Sequence, residues 1–210
     1  MKLITIGDSI TRGTYTGVDD PCPLSVANPN FSELLRQKLG FTELKCYGIN
    51  GVCISRTSYQ NPEYSISRNF DNTEDGDFLI IAGGTNDFGT NVELGTKDDR
   101  EDVSFYGALY VLYSKVISRM PKEKVVVIIP IKREHEDKPN SVGYLLEDYR
   151  RAIIERATEF GFNLVDGKKM AIDPSDKESK KKYISDGLHP TQEGHYIYAD
   201  YVYDCIKDLI

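Results

Sequence analysis

Phe78-Leu79-Ile80-Ile81-Ala82 runs directly into Gly83-Gly84-Thr85-Asn86-Asp87, and the first half of this stretch decides the fold. Five apolar residues with no polar alternation fit a strand covered on both faces, as in a parallel sheet held between two layers of helices. Val125-Val126-Val127-Ile128-Ile129, stopped by Pro130, repeats the pattern. Outward from this pair lie three shorter strands: Leu3 to Ile6 ending at Gly7, Leu44 to Tyr47, and Phe162 to Val165. Helical patterns fill the gaps. Phe31 to Leu39 follows Asn30 as a capping residue, carries Glu33 at the capping-box position and stops at Gly40. Phe105, Leu109, Leu112 and Val116 share one face of a helix that Asp102 is placed to cap and that ends before Pro121. Leu145, Tyr149, Ile153 and Ala157 stripe a helix from Val142 to Phe160, closed by Gly161, and a last helix runs from Gln192 to Ile210. Strands alternating with helices imply βαβ crossovers. The expectation is an α/β fold, a doubly wound three-layer α/β/α sandwich around a mainly parallel five-stranded sheet.

The chain has 210 residues, the size of one domain (residues 1–210), and can bury a full core without disulfides or metals. Charged residues are 28% and the net charge is −7, which excludes a general nucleic-acid binder needing a basic face. No apolar run reaches the ~20 residues of a membrane span. The first strand meets Gly7-Asp8-Ser9 too early for a secretory signal, so a cytoplasmic protein is expected. Cys22, Cys46, Cys53 and Cys205 lack metal-type spacing and are expected to be reduced thiols, with Cys46 and Cys53 flanking a turn across which they could meet.

In doubly wound folds, sites form in loops at the carboxyl ends of strands. Those ends carry Gly7-Asp8-Ser9-Ile10, Tyr47-Gly48-Ile49-Asn50-Gly51 and Gly83-Gly84-Thr85-Asn86-Asp87, and the loop before the last helix carries Ser185-Asp186-Gly187-Leu188-His189-Pro190. Together they supply the parts of acyl transfer. A serine hydroxyl is a weak nucleophile until a base takes its proton. Histidine titrates near neutrality and suits that task. A carboxylate must hold the imidazole in the right tautomer. The oxyanion that develops then needs preorganised donors, for which Gly51 offers its N–H and Asn86 its side-chain amide. Taken singly, each segment reads as an ordinary turn; their joint occurrence is what points to catalysis.

With these four blocks in order, the chain resembles the SGNH hydrolases, the GDSL-type esterase/lipase family, from residue 3 to about residue 200. Gly7-Asp8-Ser9-Ile10 matches the first block with Ile in place of the usual Leu; Asn50-Gly51, Gly84-Thr85-Asn86-Asp87 and Asp186-Gly187-Leu188-His189-Pro190 match the others. The resemblance implies a flavodoxin-like sheet, Ser9 as nucleophile, His189 as base and Asp186 as its orienter. It also implies an oxyanion hole made by the Ser9 and Gly51 N–H groups and the Asn86 amide. No G-x-S-x-G elbow occurs in the chain.

Asp8 and Asp87 read as structural, bonding nearby loop backbone. His135 reads as solvated, and His195 as packed or solvent-facing. Neither lies in a ligand pattern, so no metal is expected, and no phosphate-binding glycine fingerprint suggests a cofactor. The runs Lys97 to Asp102 and Lys177 to Lys182 read as solvated loop surface. Five loops, about 14–30, 55–77, 88–101, 131–143 and 173–188, could line the mouth, with Tyr15, Tyr59, Tyr64, Phe88 and Arg133 as contacts. None is apolar enough to build a broad groove for a fatty chain. A short-acyl (acetyl) ester of a polar or carbohydrate alcohol is therefore expected. The alternatives are a lysophospholipase or thioesterase, or a non-enzymatic ligand-binding protein of the same fold. Oligomeric state is not legible.

Overall fold

In the computed structural model, which describes residues 1–16, 25–56 and 62–210, the side-chain alternation of the strands sorts the core into two halves. Along β5 (Phe78–Ala82), Leu79 and Ile81 point to one cluster while Phe78, Ile80 and Ala82 point to the other. Successive strand residues face opposite sides, so a strand apolar at every position needs cover on both. Full burial of each such side chain is worth about 1.5–3 kcal/mol.

The first cluster is roofed by α5 (Phe105–Arg119) and α6 (Leu146–Phe160), through Leu109, Leu112, Val116, Tyr149 and Ile153. The second is roofed by α2 (Phe31–Lys38) and α8 (Gln192–Ile206), through Phe31, Leu35, Tyr198, Ala199 and Val202. Between them lies one parallel sheet of five strands: β1 (Lys2–Gly7), β4 (Glu43–Gly48), β5, β6 (Val125–Ile129) and β7 (Asn163–Asp166), in the spatial order β4-β1-β5-β6-β7. A two-residue antiparallel ladder joins β2 (Thr14–Tyr15) to β3 (Ser25–Val26). Short helices α1 (Ser9–Arg12), α3 (Ile66–Asn69), α4 (Thr85–Gly89) and α7 (Lys177–Tyr183) sit in the connections. Among the described residues, no helix is long and apolar enough to cross a membrane.

Four boundaries depart from the sequence expectation. Helix α5 is capped by Ser104, whose Oγ accepts the Gly107 N–H at 3.3 Å; Asp102 is drawn away to Arg68 at 2.9 Å. Helix α6 starts at Leu146 rather than Val142. Gly143 is left-handed there (φ 89), and Asp148 Oδ2 closes the first turn on the Leu145 N–H at 2.8 Å. Lys177 to Lys182 is not loop but helix α7, because Asp176 caps it through the Ser179 N–H at 2.8 Å and no Gly or Pro interrupts it. Helix α8 gives way at Ile206 to a 3-10 turn over Lys207–Leu209. The Asn30 cap is as expected, its Oδ1 taking the Glu33 N–H at 3.0 Å.

Candidate active site

Strand order alone gathers the glycine, serine and asparagine segments. β1 lies between β4 and β5, so the chain leaving β1 at Asp8-Ser9 is flanked by the chain leaving β4 at Asn50-Gly51 and the chain leaving β5 at Thr85-Asn86. Close packing here depends on Gly48. A Cβ at that position would fall 2.2 Å from the Arg12 backbone nitrogen, so a side chain would push α1, and Ser9 with it, off the sheet end.

Ser9 is the first residue of α1 and only 6% exposed. Asp8 caps that helix through the Ile10 N–H at 2.9 Å, which fixes where the serine sits. Ser9 Oγ lies 2.9 Å from His189 Nε2. His189 Nδ1 lies 2.7 Å from Asp186 Oδ2, while Asp186 Oδ1 accepts the backbone N–H groups of His189 at 2.7 Å and Leu188 at 2.9 Å. Burial opposes ionisation of Asp186, but the hydrogen bonds from the His189 ring and from backbone outweigh it and leave its pKa below the usual carboxylate value. An ionised carboxylate on Nδ1 fixes the tautomer that leaves Nε2 free to take a proton from a hydroxyl.

Asn86 Nδ2 donates to the Val52 carbonyl at 2.9 Å, which holds the Asn86 side chain against the segment following Gly51 and leaves its second N–H without a partner among the described residues. Gly51 has φ 69, in the left-handed region that favours glycine. Asp87 secures the same segment, accepting the Ile54 N–H at 2.9 Å, the Ser55 N–H at 3.0 Å and the Ser55 hydroxyl at 2.8 Å. Burial raises the pKa values of both Asp8 and Asp87 to about 6. The structure thus gives both aspartates loop-bonding roles and brings Ser9, His189 and Asp186 into one hydrogen-bonded line.

The remaining candidates separate. His135 is exposed. His195 is fully buried, accepts the Phe31 N–H through Nδ1 at 3.3 Å, and is held near pKa 4 by burial. Phe88 does not line the mouth as expected; it is 6% exposed and packs in the core, with the Arg133 guanidinium 5.4 Å over its ring. Tyr15 is partly exposed and Tyr64 is 55% exposed, whereas Tyr59 and Cys22 lie outside the described residues. Cys46 and Cys53 are separate thiols, the first 3.3 Å from the Thr11 carbonyl and the second 3.3 Å from Thr90 Oγ1. Among the described residues no cluster of His, Cys, Asp or Glu is arranged to hold a metal ion.

The sequence reading missed the clamp on the loop after β6. Arg150, 2% exposed, donates to the Pro130 carbonyl at 3.0 Å, the Ile131 carbonyl at 2.7 Å and Glu136 Oε2 at 2.7 Å. Glu136 Oε2 in turn accepts the Arg133 N–H at 2.9 Å. An arginine on the inner face of an amphipathic helix was the available signal, but its partners are carbonyls that no motif marks.

The model of the GDSL-like lipase/acylhydrolase family matches residues 5–197, and the chain belongs to that family. No curated protein matches it. One solved structure is 25% identical with a TM-score of 0.87, covering 99% of this chain and 96% of the other. A protein from Lactobacillus plantarum is 22% identical with a TM-score of 0.83, over 99% of this chain and 96% of its own. A lipase/acylhydrolase from Enterococcus faecalis is 18% identical with a TM-score of 0.64, over 99% and 95%. These likenesses agree with the parallel five-stranded sheet flanked by helices.

Proposed function

We propose that this chain is a serine esterase working through Ser9, His189 and Asp186. The carrying observation is the unbroken line from Ser9 Oγ to His189 Nε2 at 2.9 Å and from His189 Nδ1 to Asp186 Oδ2 at 2.7 Å. Ser9 Oγ attacks the ester carbonyl carbon as His189 Nε2 takes its proton. The Ser9 N–H, the Gly51 N–H and the free N–H of Asn86 receive the tetrahedral oxyanion. His189 returns the proton to the departing alcohol, leaving an acyl-serine. Water, deprotonated by His189, then releases the acid and restores Ser9.

The reading favours short acyl groups, acetyl first, on a polar or carbohydrate alcohol. Its support is the modest pocket beside the site, about 350 Å³ including its open mouth, which suits a small acyl group better than a long chain. Intact-mass labelling with a small alkyl fluorophosphonate tests the chemistry without knowledge of the natural ester. One adduct on the wild type and none on Ser9→Ala is expected. A folded wild type that takes up no label overturns the reading.

A further inference from the structure

The pocket beside the site is walled by chain neighbours of the site residues: Asp8 beside Ser9, Thr85 beside Asn86 and Leu188 beside His189. Ile10, Ile131 and Tyr198 make apolar walls, and Arg133 brings a guanidinium. The Arg133 guanidinium stacks over the Phe88 ring, and among the described residues its side-chain hydrogen bonds come from Nη1 alone. Its Nη1 donates to the Thr85 carbonyl at 3.1 Å and to Thr85 Oγ1 at 3.2 Å. Its Nε is sealed from solvent without a hydrogen-bond partner, and Nη2 makes no hydrogen bond among the described residues. Nε and Nη2 form one edge of the planar fork, the edge that matches a carboxylate with two parallel hydrogen bonds.

No carboxylate among the described residues pairs with Arg133 within ion-pair distance. The acids whose fields reach it are Glu136, Asp8 and Asp186. Glu136 is spent on Arg150, Asp186 on His189 and two backbone N–H groups, and Asp8 on the Ile10 N–H. A desolvated arginine is ordinarily paired, and burial here pulls its pKa down.

We infer that Arg133 is a specificity-determining residue: its free edge receives a carboxylate carried by the substrate, so that the preferred ester is an anionic one, bearing a free carboxylate on its acyl or its alcohol part. This rests on the esterase reading for its reaction but not for its binding. A carboxylate on that edge supplies the ion-pair partner that Arg133 lacks among the described residues. Lysine would supply the charge without the two-point fork.

The test has a kinetic arm and a binding arm. Wild type, Arg133→Lys and Arg133→Gln are compared on 4-nitrophenyl acetate, the 4-nitrophenyl half-ester of glutarate, and 4-acetoxybenzoate, which carry no carboxylate, one on the acyl part and one on the alcohol part. The wild type is expected to favour one anionic ester over the neutral one by tenfold or more in kcat/KM, mainly through KM. Arg133→Gln is expected to lose that ratio and Arg133→Lys to keep part of it. Equal kcat/KM on all three esters in the wild type, or an anionic preference that survives in Arg133→Gln, overturns the inference while leaving the esterase reading intact. Calorimetric titration of glutarate and benzoate into Ser9→Ala, with and without Arg133→Gln, reads the site without turnover. Binding weakened tenfold by Arg133→Gln supports the inference even if no ester is cleaved, in which case the esterase reading alone fails. No binding of either acid overturns it.

Discussion

The backbone N–H of Glu134 donates to the carbonyl of Gly187 at 2.7 Å, tying the loop after β6 to the loop that carries Asp186 and His189. The side chains reinforce the tie, with Glu134 Oε1 2.5 Å from Lys180 Nζ on α7. Gly187 itself has φ 76, and a Cβ there would fall 2.9 Å from the Glu134 Cβ.

Gly187→Ala is expected to disturb His189 more than the fold. A non-glycine residue at this φ costs on the order of 1–3 kcal/mol, and the new methyl presses on Glu134. The expected outcome is a loss of at least tenfold in kcat, following misalignment of His189, with only a modest drop in denaturation midpoint. Aryl-acetate kinetics beside urea unfolding checks it; full activity would show that the tie does not position the histidine.

Asn86→Ala removes one proposed oxyanion donor and is expected to lower kcat by about 10²–10³, with a small change in KM. Because Asn86 also bonds Val52, Asn86→Asp serves as a comparison: it keeps the shape but brings an acceptor where a donor is needed. Steady-state rates for both variants on one ester decide it, and an unchanged kcat removes Asn86 from the hole.

The fold was legible because its signal is local. Apolar runs such as Val125 to Ile129 and the helix stripes are written in consecutive or near-consecutive residues. The site segments were legible for a related reason: each lies directly after a strand or before a helix, where topology brings strand ends together. What sequence did not disclose depends on competition between partners. Asp102 and Ser104 are both capping residues, and pairing with Arg68, 34 positions away, and with Arg56 draws Asp102 out of contention. Phe88 follows a site motif yet turns into the core. Arg150 and Glu136 form their clamp across a loop whose path no pattern announces.

Arg150→Met tests that clamp. The substitution leaves the Pro130 and Ile131 carbonyls and the Glu136 carboxylate without their buried donor. Breaking a buried pair from one side typically costs about 3–5 kcal/mol. Urea unfolding is expected to show a loss of that order. Arg150→Met with Glu136→Gln together should lose less than the sum of the two single variants, since the partners share one interaction.

Asp87→Asn reads the buried carboxylate through pH. Burial raises the pKa of Asp87 from 3.8 to about 6 in the folded chain. The folded state therefore holds the proton more tightly than the unfolded state. The stability this contributes is full below pH ~4 and is lost as pH rises through about 6. The difference in unfolding free energy, wild type minus Asp87→Asn, should fall by about 2 kcal/mol between pH 4 and pH 7. Chemical denaturation at several pH values measures it, and a flat difference would mean that Asp87 stays ionised throughout.

Asp186 and His189 stand three residues apart, while Ser9 lies 180 positions from His189. Ser9, Gly51 and Asn86 all come from before α5, and the acid and base share one short loop near the other end of the chain. A cut at the exposed Ser175–Asp176 turn would leave Ser9, Gly51 and Asn86 on one polypeptide and the Asp186–His189 pair on the other. If the proposed triad is right, neither piece would turn over an ester alone, and reassembly of the two would restore activity.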